Sequence, residues 1–62
     1  MREPAPGCVI KGNIGGAGLK FFILPDDPRW SAAIIDLAKG ERWFCNEREA
    51  QDNGFQPVPD GN

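Results

Sequence analysis

Histidine is absent from this 62-residue chain, and so are tyrosine and threonine. Without histidine the chain lacks the commonest general base and every Ser–His or Cys–His pair. Ser31 is the only serine, and no candidate base lies near it in the sequence. We therefore predict that the chain is not an enzyme and contains no catalytic residue.

Long apolar runs and blocks of charge of one sign are missing as well. The chain has no run of about 18 apolar residues, so we predict no membrane span. Its seven basic and nine acidic side chains give a formal net charge of −2 and are scattered singly. With a pI of about 4.8, the chain lacks the clustered Lys and Arg that duplex-binding proteins carry.

The residues that build metal and phosphate sites are also scarce. A structural zinc site takes four ligands, usually Cys and His, whereas this chain has two Cys and no His, so we predict no metal and no cofactor. The glycine-rich run at 12–18 lacks the Gly-Lys-Ser/Thr ending of a P-loop and leads into a strand, which indicates a turn. Asp26 and Asp27 could be paired carboxylates, but capping of a helix explains them better.

What the chain does contain is a pair of cysteines. A domain of this size buries only about 60% of the surface that its unfolded chain exposes. It usually needs a covalent cross-link, a metal or a partner for stability. Cys8 and Cys45 lie 37 positions apart. They could form a disulfide in an oxidising compartment, stay as free thiols, or bind a metal with ligands from elsewhere. We favour a structural disulfide, which would contribute about 3–4 kcal/mol.

Three segments have the β-branched and aromatic character of strands, at 8–14, 19–24 and 41–45. The turn at 15–18 would join the first two in a hairpin, and Gly12 suggests a bulge or a close approach. Alternation along the third strand would place Trp43 on one face, with Arg42 and Phe44 on the other. One of these two large aromatic side chains is then expected in the core.

Two helices are predicted from capping residues and spacing. The first covers 28–38, with Asp27 as N-cap, Gly40 as stop and one apolar face: Trp30, Ala33, Ile34, Leu37 and Ala38. The second covers 47–53, with Asn46 as N-cap, Glu49 three residues on, Gly54 in the left-handed region and Phe55 folded back toward Ala50.

These elements predict an α+β domain with a small three-stranded, mainly antiparallel sheet and two short helices. We place this single domain at 8–57. The Pro-containing segment 1–7 is predicted to be a disordered lead-in or linker, and 58–62 a flexible tail.

The order of short motifs along the chain resembles the bacterial sunset-type domain. The similarity covers about residues 7–57. It rests on these segments: Cys8-Val9-Ile10-Lys11-Gly12-Asn13-Ile14, Gly18-x-Lys20-Phe21, Pro25, Gly40-Glu41-Arg42-Trp43-Phe44-Cys45, Glu47-x-Glu49-Ala50 and Gly54-Phe55.

The resemblance implies an accessory domain of secreted thermonuclease-like proteins, or a short exported protein. It therefore implies a secreted or periplasmic location and a nuclease domain as a partner in a longer parent chain. The family's aromatic-His-x-Pro-Gly stretch has no histidine here, where Phe22-Ile23-Leu24-Pro25-Asp26 stands. The catalytic residues of a thermonuclease belong to another, larger domain and match no position in this chain.

The segment 47–57 is also similar to the end of the metal-binding domain of the Ada repair protein, where a short helix precedes a Gly-Phe-x-Pro turn. The downstream Cys-x-x-Cys of that domain is missing here. The similarity therefore implies a shared local shape and neither zinc binding nor methyl transfer.

Three functions compete for this domain. A non-catalytic binding module would carry an exposed aromatic side chain beside Lys or Arg, with a cell-envelope polymer among its possible ligands. A single-stranded nucleic-acid accessory would bind in a salt-sensitive manner. A structural or oligomerising domain would carry a flat apolar patch. The candidate binding residues are Lys11, Asn13, Lys20, Arg42 and Trp43.

Overall fold

The computed structural model describes residues 6–59, so most of the predicted lead-in at 1–7 and the end of the predicted tail at 58–62 lie outside the described residues. Residues 6–59 form a four-stranded mixed sheet with the spatial order β3-β1-β2-β4 and one short α-helix. The strands are β1 (Ile10–Ile14), β2 (Lys20–Ile23), β3 (Arg42–Phe44) and β4 (Gln56–Pro57), and the helix α1 is Glu47–Asp52. None of the described helical segments is long and apolar enough to cross a bilayer.

The predicted fold class is therefore wrong in its details. The sheet has four strands rather than three, and β4 runs parallel to β2 whereas the other pairs are antiparallel. Over residues 6–59 there is one α-helix rather than two, accompanied by 3-10 turns at Gly16–Gly18 and Leu37–Lys39. The coarser prediction of a small domain that combines helix and sheet is confirmed.

The predicted helix at 28–38 is replaced by turns, because its carbonyl groups have other partners. In an α-helix the carbonyls of Trp30 and Ala33 would accept from N–H groups four residues later. Here both accept from the Lys11 ammonium of β1, at 2.7 Å each, and the Ile34 carbonyl accepts from the Asn13 amide. Donors from β1 thus bind the groups that the helix ladder would have used.

The fourth strand was missed because a two-residue strand with a proline carries no periodic signal. Gln56 pairs with Phe21 and Pro57 with Phe22, and the Val58 N–H then donates to the Phe22 carbonyl at 3.1 Å. Since that hydrogen bond falls at Val58, paired backbone continues one residue beyond β4.

The predicted hairpin of the first two strands is confirmed, and Gly12 is a point of close approach. On one face of the sheet, Gly12 lies under the rings of Phe44 and Phe55, which meet edge to face at a centroid distance of 5.0 Å. A Cβ at Gly12 would lie 2.6 Å from Phe44 Cε2. The core on this face consists of Ile10, Phe22, Phe44, Ala50 and Phe55.

Helix α1 begins at the predicted residue and ends at Asp52, one residue before the predicted end. The Asn46 side chain accepts from the Glu49 N–H at 2.8 Å, and Glu49 reaches back to the Cys45 N–H at 2.9 Å. Gly54 adopts φ 85°, and the Phe55 N–H donates to the Ala50 carbonyl. This is the Schellman arrangement, and it turns the Phe55 ring onto Ala50 in the core.

The predicted disulfide between Cys8 and Cys45 is confirmed. It joins the residues that precede β1 and follow β3, which are neighbouring antiparallel strands. The bond therefore fastens one end of this strand pair. A disulfide is compatible with an extracellular or periplasmic location.

Both edges of the sheet offer few free backbone donors. On the β4 edge, Pro57 has no N–H. On the β3 edge, the N–H groups that flank the strand are bonded internally: Glu41 donates to the Asp36 carbonyl at 3.3 Å and Cys45 to the Glu49 carboxylate. Each edge strand is also short, with three residues in β3 and two in β4, which limits pairing with another strand.

Candidate functional site

The buried Lys11 side chain lies between β1 and the irregular connection that links β2 to β3. We call this connection, residues 24–41, the anchored loop. Lys11 is only 2% exposed, and its ammonium lies 3.8 Å from the centroid of the Trp30 ring and 5.6 Å from that of Trp43. With the carbonyls of Trp30 and Ala33, these rings form an internal cation site. Burial lowers the pKa of Lys11 below its usual value.

Glu41 is the second buried charge, and it holds the end of the anchored loop. Its two carboxylate oxygens accept from the N–H groups of Ile14 and Asp36, at 2.8 Å each, and Lys39 lies 3.6 Å away. Burial alone would raise the pKa of Glu41. The two N–H donors and the Lys39 charge outweigh burial, so the pKa of Glu41 lies below its usual value.

Further hydrogen bonds fasten the anchored loop to β1 and to the residue that precedes it. The Asn13 amide donates to the Ile34 carbonyl at 2.9 Å, and the indole N–H of Trp30 donates to the Val9 carbonyl at 2.7 Å. The Trp30 and Trp43 rings meet edge to face at a centroid distance of 6.4 Å. The loop lacks regular structure over most of its length, but hydrogen bonds from the side chains of Lys11, Asn13 and Trp30 hold it to β1 and Val9.

Three large apolar side chains remain exposed at this end of the molecule: Leu19 (57%), Ile34 (70%) and Leu37 (72%). We call them the apolar patch. The Ile34 carbonyl accepts from the Asn13 amide. Leu37 follows Asp36, whose N–H donates to the Glu41 carboxylate, and the same carboxylate accepts from the Ile14 N–H. The Leu19 carbonyl accepts from the Gly15 N–H at 2.7 Å. All three side chains therefore belong to segments that meet at the end of β1.

Leu19 also falls on the correct side of the sheet for this patch. In the register of the hairpin, Asn13 is opposite Phe21 and Lys11 is opposite Ile23. Because side chains alternate along a strand, Leu19 shares the face of Phe21, which is the face that the anchored loop covers. The patch combines side chains from the hairpin turn and from the loop.

The structure divides the five predicted binding residues between two faces. Lys11 and Trp43 are opposite each other in the register, and Asn13 shares their face. Lys20 and Arg42 lie on the other face and are exposed, with the Lys20 ammonium 5.5 Å from the Phe55 ring centroid. Lys11 and Asn13 bind the loop, Trp43 is half-buried, and Phe44 is the aromatic residue in the core.

A cleft of about 240 Å³ lies between the start of the anchored loop and β4. On its rim Arg29 binds the Asp27 carboxylate and donates to the Pro59 carbonyl at 2.6 Å. The hydrogen bonds from Arg29 lower the pKa of Asp27 to about 2. These contacts hold the loop against the chain that follows β4. Nowhere in residues 6–59 do three His, Cys, Asp or Glu side chains gather into a possible metal site.

Sequence reasoning missed the roles of Trp30, Ile34 and Leu37 because of the helix predicted at 28–38, and it assigned Leu19 and Glu41 only to predicted strands. The helical spacing placed Trp30, Ile34 and Leu37 on one buried face, so it predicted Ile34 and Leu37 as core. An available signal was Lys11, a charged residue in the middle of an apolar strand, which needs carbonyl partners if it is buried.

No protein-family model, curated protein or solved structure matches this chain significantly.

Proposed function

We propose that this chain is a non-catalytic accessory module of an exported bacterial protein, one associated with a nuclease, and that it docks onto a protein surface through the apolar patch. The exported location draws support from the Cys8–Cys45 disulfide, and the association with a nuclease draws support from the resemblance to sunset-type domains.

The observation that carries the docking role is the way the anchored loop is held. Burying a charge is costly unless it is well bonded, and Lys11 and Glu41 are both buried to fasten this one loop. A loop under no functional demand could fold its apolar side chains inward. This one leaves Ile34 and Leu37 about 70% exposed on a fixed backbone. Apolar side chains exposed together on a fixed surface are typical of protein contact sites.

The test uses 1-anilinonaphthalene-8-sulfonate, a dye that fluoresces on apolar surface, with the oxidised, folded chain. We expect the wild type to bind the dye and the double variant Ile34→Asp/Leu37→Asp to lose at least about three quarters of the fluorescence gain. Gln51→Asp, which adds one carboxylate on exposed α1 where the double variant adds two on the patch, is the control and should behave as the wild type. Equal dye binding by the wild type and the double variant would remove the proposal.

The association with a nuclease is tested separately. A purified thermonuclease-like domain is titrated into the ¹⁵N-labelled chain, and amide shifts are followed. Shifts that centre on Leu19, Ile34 and Leu37 support the proposal. Shifts that centre on Lys20 and Arg42 would place a contact on the opposite face and contradict it.

The same labelled chain distinguishes the nucleic-acid alternative. A single-stranded oligonucleotide is added at about 20 mM salt, where phosphate contacts are strongest. We expect no shifts at Lys20, Arg42 or Trp43. Salt-sensitive shifts at these residues would favour the alternative over protein docking.

A further inference from the structure

The charges beside Leu37 define what kind of surface the apolar patch fits. Asp36 and Lys39 flank Leu37 on the same 3-10 turn, and they carry opposite signs. A partner surface with charge of one sign would attract one of them and repel the other. A surface with the same two charges in reversed order would attract both.

A second copy of this chain supplies such a surface. In a two-fold symmetric dimer the same patch of both copies forms the interface. If one residue of the first copy contacts a different residue of the second, the same two residues also make this contact with the copies exchanged. With Leu37 near the axis, Asp36 of each copy would face Lys39 of the other. We propose that the chain forms a symmetric dimer through the apolar patch, with two Asp36–Lys39 pairs at its rim. This inference rests on the docking role proposed above.

The side chains concerned are available for such contacts. Lys39 is 56% exposed, and its pair with Glu41 within one copy is long, at 3.6 Å. The Asp36 carboxylate is held toward the turn by the Ala38 N–H at 3.0 Å, so its position is set before association. Rim pairs of this kind contribute more to orientation than to affinity. The apolar side chains would supply most of the attraction.

The size of the patch predicts a weak dimer. A stable interface of about 800 Å² per partner would take roughly a fifth of the 4256 Å² surface of this chain. Three side chains and their polar rim cover less than that. We therefore expect a monomer at micromolar concentration and a dimer as the concentration approaches about 1 mM, or when parent chains are held close together.

The first experiment measures the mass of the oxidised chain by light scattering and sedimentation, from about 10 µM to 1 mM. We expect Leu37→Asp to raise the dissociation constant at least about tenfold, since it would bring two carboxylates together near the axis. Gln51→Asp is again the control. A wild type that stays monomeric at about 1 mM overturns the dimer. The docking proposal is then judged by dye binding and by the amide shifts with the thermonuclease-like domain, so the two failures remain distinct.

The second experiment tests the pairing itself by exchanging charges. Asp36→Lys alone would bring two ammonium groups together at each rim contact, and Lys39→Glu alone would bring two carboxylates together there. Each variant should therefore dimerise about three- to tenfold more weakly than the wild type. An equal mixture of the two variants forms pairs in which both rim contacts are attractive. We expect the mixture to recover to within about twofold of the wild type. Single variants as tight as the wild type, or a mixture as weak as either variant, would contradict the symmetric arrangement.

Discussion

Lys11 and Trp30 are joined twice, through the backbone and through the ring. The Lys11 ammonium donates to the Trp30 carbonyl at 2.7 Å and lies 3.8 Å from the centroid of the Trp30 ring. The same ammonium binds the Ala33 carbonyl, so one side chain of the central strand β1 determines where the anchored loop turns. The apolar patch depends on this contact, because Ile34 follows Ala33 directly.

Replacing Lys11 tests that dependence. Lys11→Met keeps the apolar stem and removes the donors, which takes the ammonium from the Ala33 carbonyl and leaves the Trp30 carbonyl with the Ala33 N–H, and it should cost about 1–3 kcal/mol. We expect hydrogen exchange at 30–36 to accelerate about tenfold or more, while α1 changes less. Lys20→Met, at an exposed position of β2, is the control and should leave both regions unchanged. Unaltered exchange at 30–36 in Lys11→Met would show that the ammonium does not hold the loop.

Gly12 should not tolerate any side chain. A Cβ there would lie 2.6 Å from Phe44 Cε2 and 3.0 Å from Phe55 Cε2. Gly12→Ala should therefore lower the free energy of unfolding by about 1–3 kcal/mol in urea titrations. Gly16→Ala, where no atom lies within 4 Å of the added carbon, should change it by less than about 0.5 kcal/mol. Similar losses in both variants would indicate a general effect of replacing glycine.

The two carboxylates with lowered pKa values should make the protein acid-sensitive. Glu41 and Asp27 hold their protons less tightly in the folded chain than in the unfolded chain. As pH falls, the unfolded chain takes up protons first. The contribution of each carboxylate is therefore present above its unfolded pKa, which is 4.5 for Glu41 and 3.8 for Asp27. It is lost as pH falls through the folded pKa, which for Asp27 is about 2.

The contribution of Glu41 is separated by Glu41→Gln. This variant cannot titrate at position 41, so its free energy of unfolding should depend less on pH between about 5 and 3 than that of the wild type. The remaining slope, which includes that of Asp27, should continue toward a pH of about 2. Urea titrations at half-unit pH steps measure both slopes. Identical slopes in the two proteins would mean that the Glu41 carboxylate gains nothing on folding.

The disulfide should account for a large part of the stability. The double variant Cys8→Ala/Cys45→Ala should lose about 3–4 kcal/mol of unfolding free energy, since the unfolded chain is no longer constrained. Intact mass with and without reductant, with a gain of about two mass units on reduction, verifies the bond in the wild type. Reductant should destabilise the wild type and leave the double variant unchanged. A wild type whose stability is the same under both conditions would contradict this.

Local signals predicted the parts of this fold that are stabilised locally. Asn46, Glu49 and Gly54 lie within one short segment and determine α1 through contacts a few residues apart. The hairpin turn at 15–18 is equally local. The helix predicted at 28–38 failed because Lys11 and Asn13, some 20 positions away, bind the carbonyls that the helix would have used. β4 depends in the same way on distant Phe21 and Phe22.

Of the residues at the candidate site, sequence reasoning singled out Lys11, Asn13 and Trp43 and did not single out Trp30, Glu41 or the apolar patch. Lys11, Asn13 and Trp43 do share one face, but Lys11 is buried and Asn13 binds the loop. Exposure of Ile34 and Leu37 could not be inferred, because the same apolar spacing suits a buried helical face. A buried helix and an exposed loop differ in which donors the carbonyls of this segment accept from. Those donors belong to Lys11 and Asn13 of β1, far away in the sequence.

The protected edges of the sheet bear on how this protein behaves when crowded. Since Pro57 and the internally bonded N–H groups of Glu41 and Cys45 leave little backbone to recruit a further strand, growth into fibrils is disfavoured at millimolar concentration. We then expect self-association to proceed mainly through side chains. It should stop at a defined stoichiometry and reverse fully on dilution.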